Sequence, residues 1–570
     1  MGIGATNVEA RIDAAMGFVG NCPVEFHACQ SVEYGGVLFM LPFLLANGLL
    51  DYQSHYAKRE NGYYNYDQAI LTLAFMLLCR IKSVEQLKHI QPGEFGKLMG
   101  IDRCPEAKCL RGMIAELTGQ GKAAQWNASL AGQWIDNENP AIYYIDGHVQ
   151  VYHGHLANLG KKHVSRQKLC LPGMVEFWVG NSDGMPYFFI TGQVNEKLLP
   201  VIEEQIIPQL NNLSEKIAPQ GFSMDNPDTP KYTIAFDREA YSPAFFGRLW
   251  NNQRVAVLTY NKNVKDLWEE TEFEDIPVDT PVGLTTMKLQ EKQIEVDGVK
   301  MREVRELSID GHQTSIITTN KKLPLGMIAV CMFARWLQEN FFRYMRQEYD
   351  LDRITQYGVD QIDTNVKVVN REYSNLTQKL KKTREKIARR KAHLLELIEQ
   401  NNKEPMEVTG QNIDKQLKVR NELHLLEQEE KKFIEQRRQQ PYHITVGQMP
   451  EETRYNKLKT ESKYIQNIVK MICYRAETAF VNLISPVYKR SGDEKRSLAK
   501  NIIFTKADIE PDYKAKTLTI TLYTLSRPRD NEAVGQICNQ LNETETEFPG
   551  TDLRVIYKTA TIKTTPSQEV

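Results

Sequence analysis

Two short apolar runs in this chain end on an aspartate: Ile142-Tyr143-Tyr144-Ile145 leads into Asp146, and Tyr232-Thr233-Ile234-Ala235-Phe236 leads into Asp237. Both runs have the β-branched and aromatic content of buried strands. An unpaired carboxylate in such a strand must protonate or find a cation, a hydrogen-bond partner or an open strand end. Singly, either aspartate reads as a capping or turn residue; a matched pair on two strands of one sheet is harder to explain that way. A third acid, Glu339, lies in the helical segment FARWLQENFFRYM, where Arg335 at i−4 offers an ordinary surface ion pair. If the three acids converge, their hard oxygens suit Mg²⁺ or Mn²⁺. Two such ions stabilise both the attacking and the leaving oxygen of a phosphodiester, and phosphoryl transfer asks little more of a protein than positioning.

The neighbourhood of the first acid fits a polyanion. Residues 147–175 contain no Asp or Glu, yet hold His148, His153, His155, Lys161, Lys162, His163, Arg166 and Lys168. Zinc is the weaker reading of these histidines, because their spacing on a strand is not a standard four-ligand pattern and Cys170 stands alone. The whole chain, with 71 Lys+Arg against 72 Asp+Glu, has a formal net charge of −1, so any nucleic-acid contact must come from local patches. Nine scattered cysteines without a CxxC pair argue against a disulfide framework and fit a reducing cytoplasm. The longest apolar stretch, residues 35–50, is shorter than the roughly 20 residues a bilayer span needs and contains Pro42 and Asn47. It reads as a buried helix, with no membrane partner and no secretory signal.

The elements that must position these residues follow from periodicity. Residues 1–140 read as helical, with a helix over 66–81, a capping box at Ser83 and Gln86, and a helix from Pro105 to about Leu117, compatible with a helix-turn-helix or a plain bundle. From residue 141 the pattern is a mixed α/β sheet: three strands in meander (IYYIDGHVQVYHG, MVEFWVG, MPYFFITGQV), a helix from Asn195 to Leu213, the strand YTIAFD, a helix over 243–251 and the strand VAVLTY. Residues 262–318 read as inserted β-hairpins and 325–349 as one long amphipathic helix. Residues 374–440 read as an antiparallel helical hairpin broken at 401–411, with Leu380, Ile387 and Leu394 seven apart. Its first arm has eight Lys/Arg and one Glu in residues 379–391, a solvated face or a phosphate-contacting one. A helix over 463–484 and a strand, helix, strand unit close the chain.

YIDGHVQVYHG, AFDREAYSPAFF and ARWLQENFFRYM resemble the DDE transposases of bacterial insertion sequences, whose catalytic core is RNase H-like. The helix further resembles the subgroup with a Tyr, Arg, Glu, Lys signature: the matching positions are Met332, Arg335, Glu339 and Arg346, so Met replaces Tyr and Arg replaces Lys. That family also carries a β-rich insertion before its Glu helix. The resemblance implies cut-and-paste transposition, in which element ends are nicked and the freed 3′-hydroxyl attacks target DNA. Asp146, Asp237 and Glu339 would hold two Mg²⁺ (or Mn²⁺) ions. Arg335 and Arg346 would contact the DNA backbone near the cut, with Lys161, Lys162, Arg166 and Lys168 as the adjoining patch. Double-stranded DNA and a homodimeric synaptic complex are the implied partners, in a prokaryotic cytoplasm at the nucleoid. The expected organisation is a DNA-binding helical region (1–140), the core's first part (141–261), a β-rich insertion (262–318), the Glu helix of the core (319–360), a charged hairpin (361–450) and an α/β domain (451–570). Two rivals keep some of these features: an RNase H-fold nuclease that cuts without joining, and a non-catalytic DNA-binding scaffold of transposase descent.

Overall fold

The computed structural model describes residues 7–18, 22–136, 141–164, 166–193, 196–262, 264, 266–280, 283–354, 358–403 and 410–560. They fall into two compact units, one within Met1–His153, Lys161–Tyr357 and Lys459–Val570, the other within Gly154–Gly160 and Gly358–Leu458.

After a short helix over Val8–Ala15 and, against the all-helical expectation, a strand over Cys29–Val32 that pairs with Ala507–Asp512, the first unit carries helices α1 (Tyr66–Leu78), α2 (Ala107–Gln120) and α3 (Ala123–Trp134). Gln86 accepts the Ser83 N–H at 3.2 Å, as the capping-box spacing requires, and the turns it starts are 3₁₀. The apolar stretch after Gly35 folds into short turns whose Val37, Leu38, Phe39, Leu41 and Leu44 are buried in the core. The sheet follows: β1 (Ile142–Val151), β2 (Lys161–Val164), β3 (Leu169–Gly180), β4 (Pro186–Gln193), β5 (Tyr232–Phe236), then α4 (Pro243–Gln253) and β6 (Val255–Tyr260). Between β4 and β5 the expected helix runs over Leu198–Asn211 with a π turn at Ile202–Ile206; its expected start, Asn195, lies outside the described residues.

The central order is β4-β3-β1-β5-β6, with β3 antiparallel to both neighbours and β1, β5 and β6 parallel. The mixed α/β class expected from the sequence is therefore the one found. Residues 262–318 extend this same sheet: β7 (Glu274–Thr280), β8 (Gly283–Val296), β9 (Val299–Leu307) and β10 (Gln313–Thr318) add antiparallel strands onto β6 through β10.

One expectation is corrected by the backbone. Residues 325–349 form two helices, α5 (Leu325–Phe333) and α6 (Trp336–Tyr349), separated at Ala334 and Arg335. There the i→i−4 ladder gives way to tighter i→i−3 bonds, Leu337 N–H to Ala334 O at 2.9 Å and Gln338 N–H to Arg335 O at 3.1 Å. Periodicity cannot see this break, because both helices keep their apolar faces toward protein.

The second unit carries the hairpin, α7 (Arg371–Lys403) and α8 (Gly410–Arg438); residues 404–409 of the expected break are outside the described ones. Back in the first unit, α9 (Glu461–Ile484), α10 (Gly492–Phe504), β11 (Ala507–Asp512), β12 (Thr517–Leu522), α11 (Pro528–Asn542) and β13 (Arg554–Thr559) complete the chain. These elements share one hydrophobic core with α1, α2 and α3: Phe75, Leu110 and Trp126 belong to the same cluster as Ile472, Ile502 and Val555, and Phe341, Phe342 and Met345 of α6 join it.

A buried charge cluster pins that core to α6. Arg80, which ends α1 in the left-handed region at φ 59°, reaches Glu348 at 2.7 Å and Glu477 at 2.8 Å. The Glu477 carboxylate, fully buried on α9, also accepts the hydroxyls of Tyr344 and Tyr349 at 2.5 Å each. Removing one partner of such a cluster leaves an uncompensated charge in the core. Arg80→Ala should therefore lower unfolding stability by about 3–5 kcal/mol in a urea titration, and adding Glu477→Gln should restore part of the loss. Additive losses would mean that the two groups do not depend on each other.

Candidate active site

Strand alternation decides what faces what. On β1, Tyr143 and Ile145 turn to the face packed by α4, while Ile142 and Tyr144 turn to the face packed by α5. With a two-residue period, Asp146 and His148 share the face of Tyr144. On β5, Ala235 lies on that face and Phe236 on the other, so Asp237 returns to it. The parallel register pairs Ile145 with Phe236; one step further, Asp146 and Asp237 stand side by side on neighbouring strands.

The cation between them is Arg335, presented by the break between α5 and α6. Its guanidinium lies 4.0 Å from Asp146 Oδ1 and 3.7 Å from Asp237 Oδ2. The two distances exceed hydrogen-bond length, and Arg335 Nε and NH1 are buried with no hydrogen-bond partner. The i−4 ion pair with Glu339 that the sequence offered is absent from the described ion pairs; Arg335 serves the sheet instead. Glu339, on the first turn of α6, is exposed.

Asp146 is held above the usual carboxylate range, pushed up to about 6. Burial is the largest cause, and the charges of Asp237 and Glu339 add to it; Arg335 and the Gly147 N–H, at 2.9 Å, pull the other way without prevailing. A quarter of the Asp146 side chain meets solvent (26%), but the surrounding density of protein atoms desolvates the carboxyl group nonetheless. Asp237, half exposed, also caps the short turn that follows it, accepting the Arg238 N–H at 2.7 Å. Its capping and its approach to Arg335 use different oxygens.

Sequence reasoning missed Tyr260. The register pairs Phe236 with Thr259, so the next step sets Tyr260 beside Asp237: Asp146, within β1, Asp237, just past β5, and Tyr260, at the end of β6, stand side by side on one face of three consecutive parallel strands. Burial raises the Tyr260 hydroxyl, with Arg335 opposing and Asp237 reinforcing the shift. The sequence signal for it is VAVLTY, a third apolar run ending on a polar-tipped residue. Glu176 was missed as well. It faces His148 across β1 and β3, is fully buried, and accepts from Asn467 Nδ2 at 2.5 Å; burial raises it against the pull of Lys463.

The basic residues separate into groups. His148 is engaged within the protein: its Nε2 is 2.6 Å from Asp352 Oδ1 and its ring stacks on Phe342 with centroids 4.7 Å apart. Burial lowers its pKa despite that partner. Arg166 reaches Asp352 at 3.2 Å and the Val149 carbonyl at 2.9 Å. Arg346, two turns along α6 from Glu339, is lowered by burial and by Arg166, with Asp352 opposing. Lys162 pairs with Glu239, two residues from Asp237, at 2.8 Å. Lys161 and Lys168 are exposed on the β2–β3 hairpin, Lys168 in its turn at φ 53°. In the helical N-terminal region, Arg103 and Arg111 are engaged by Glu106 and Glu85.

Among the described residues, no three His, Cys, Asp or Glu side chains close on one point as a metal site; Asp146 and Asp237 instead flank the Arg335 guanidinium. The donor chemistry suits a divalent cation all the same: oxygen ligands, one carboxyl whose charge is under-compensated, and a resident cation whose buried N–H groups are unsatisfied.

The sequence profile of a family described as "Transposase protein" matches residues 2–561. No curated protein and no solved structure matches the chain.

The pKa of Asp146 sets a sign for stability. Its folded value, about 6, exceeds the ordinary 3.8, so the folded state keeps a proton that the unfolded chain has released, and stability falls as pH rises between about 4 and about 6. In chelator-treated buffer, Asp146→Asn should raise stability near neutral pH by on the order of 2 kcal/mol and leave it nearly unchanged at about pH 4. Equal melting curves for the two proteins near neutrality would show that Arg335 already balances the charge.

Proposed function

The chain belongs to this transposase family, and we propose that it is a DDE-type DNA transposase with an RNase H-like core, which nicks element ends and joins the freed 3′-hydroxyl to target DNA. The reading is carried by one observation: Asp146 and Asp237, in register on adjacent parallel strands, face the helix pair that bears Arg335 and Glu339. The strand order β4-β3-β1-β5-β6, the β-rich extension before the helix pair and the family match support it.

In this reading Asp146, Asp237 and Glu339 hold two Mg²⁺ or Mn²⁺ ions. When bound, the ions supply an activated water and neutralise charge at the phosphodiester. Glu339, exposed on the first turn of α6, would complete the donor set. Arg335, whose Nε and NH1 have no hydrogen-bond partner, would meet the scissile phosphate. The Tyr260 hydroxyl, on the third strand end, orients a phosphate oxygen beside it. Arg346 and Arg166, with Lys161, Lys162 and Lys168, grip the backbone leading into the cut. The protein acts as a homodimer on paired ends, in a prokaryotic cytoplasm.

Asp146→Ala and Glu339→Ala should each reduce cleavage of end-containing duplexes by about a hundredfold or more, while gel-shift affinity stays near that of the parent. Joined product from pre-cut 3′-hydroxyl ends separates a transposase from a nuclease; cleavage with no joining would remove strand transfer from the proposal. Neutralising Lys161, Lys162 and Arg166 together should lower the slope of log K against log salt by about one per lost phosphate contact, and an unchanged slope would take the patch off the DNA.

A further inference from the structure

The α7–α8 hairpin sorts its cations. Its seam is apolar, with Ile387 against Val419 and Leu423 and with Leu394, Leu397 and Leu426 alongside. Three of the eight cations in residues 379–391 flank that seam and are matched across it: Arg384 to Glu430 at 2.7 Å, Arg390 to Glu422 at 2.9 Å and Lys391 to Glu427 at 3.1 Å. Lys379 sits 5.7 Å above the Phe433 ring. The remaining four, Lys381, Lys382, Lys386 and Arg389, are exposed, and among the described ion pairs none reaches α8; Arg389 has only Glu385, one turn back on its own helix, at 4.0 Å.

Position along the helix explains the division. Leu380, Ile387 and Leu394 mark the seam, and each of these four cations is displaced from it by one or two residues, a rotation of about 100° or more. Lys382 and Lys386 at i,i+4, and Lys386 and Arg389 at i,i+3, are like-charge neighbours that work against the helix. Among the described ion pairs nothing across the hairpin compensates them, whereas Arg384, Arg390 and Lys391 each have a glutamate. Such a row is built for an external polyanion. From Lys381 to Arg389 it spans about 12 Å, the length over which one DNA strand presents about three or four phosphates.

We propose that this outer face of α7 binds the phosphate backbone of duplex DNA without reading its sequence, a second DNA contact besides the basic patch near Asp146. The proposal rests on DNA being the substrate but not on the cleavage chemistry. The test uses the full chain carrying Asp146→Asn, in chelator-containing buffer, with a random-sequence duplex, so that failure of the catalytic reading leaves the result interpretable. Lys381→Gln, Lys382→Gln, Lys386→Gln and Arg389→Gln combined should flatten the slope of log K against log salt by about three to four. A charge-matched control on exposed α8 cations, Lys415→Gln, Lys418→Gln, Arg420→Gln and Lys432→Gln, should change it far less. Should the combined variant lose helicity by circular dichroism, Lys382→Gln and Arg389→Gln singly should each lower the slope by about one. An unchanged slope, as expected if the face instead captures an acidic protein segment, overturns the proposal. Equal effects of the two sets overturn it too, because net charge alone would then account for the binding.

Discussion

Two carboxylates on adjacent parallel strands, turned to the same face, place like charges side by side, and the surroundings of Asp146 and Asp237 must answer that charge: burial desolvates Asp146, while Asp237 is half open to solvent. A sheet gives no means of relieving it: the strands lie about 4.8 Å apart, and the register that pairs Ile145 with Phe236 fixes the next residues as neighbours. Compensation has to come from the layer above. The break at Ala334 and Arg335 supplies it by lowering a guanidinium toward both oxygens.

The helix after the break must then be held in place, and the structure commits many buried polar groups to this. Glu348, Tyr344 and Tyr349 of α6 meet Arg80 from the end of α1 and Glu477 from α9. Beyond the C-terminal end of α6, Lys470 donates to the Asp350 carbonyl at 2.9 Å, and Lys463 to those of Leu351 and Arg353 at 2.5 and 2.9 Å, where a helix end is partially negative. Buried charges with several fixed partners specify position more than they add stability. Residues from the N-terminal helices and from α9 thus act on the helix that carries Glu339 through α6 itself, which is why these distant stretches of chain share one core.

How much of this the sequence disclosed depends on the range of the interaction. Strands β1, β3, β4, β5 and β6 were legible because apolar runs bounded by turns carry their own signal, and the mixed α/β class followed. Asp146 and Asp237 stood out because a charge terminating an apolar run is a local anomaly. The partner of Arg335 was not legible: i−4 spacing points to Glu339, and only the sheet register puts two aspartates within reach. Tyr260 needed the same register, one strand further. Residues 262–318 read as separate hairpins because pairing of β10 with β6 is invisible in either strand alone. The N-terminal helices and the closing α/β unit read as separate domains for a related reason: Phe75 and Ile472 share a core across nearly 400 residues, a relation with no local trace.

The two central arginines show how one pairing chemistry serves opposite ends. Arg80 makes short contacts, 2.7 and 2.8 Å, to carboxylates that are further bonded to hydroxyls and to Lys500; displacing it would leave a buried charge with nothing to replace it. Arg335 stands at 3.7 and 4.0 Å, its Nε and NH1 unsatisfied, facing one carboxyl raised to about 6 and another half open to solvent. Its attraction is real but geometrically poor, so a ligand offering better-placed positive charge to the aspartates, or better-placed oxygens to the guanidinium, would displace it at small cost. Arg80, at the end of α1, is saturated by carboxylates on α6 and α9, whereas Arg335, between α5 and α6, is not, and the two meet at the same helix α6 with opposite degrees of constraint.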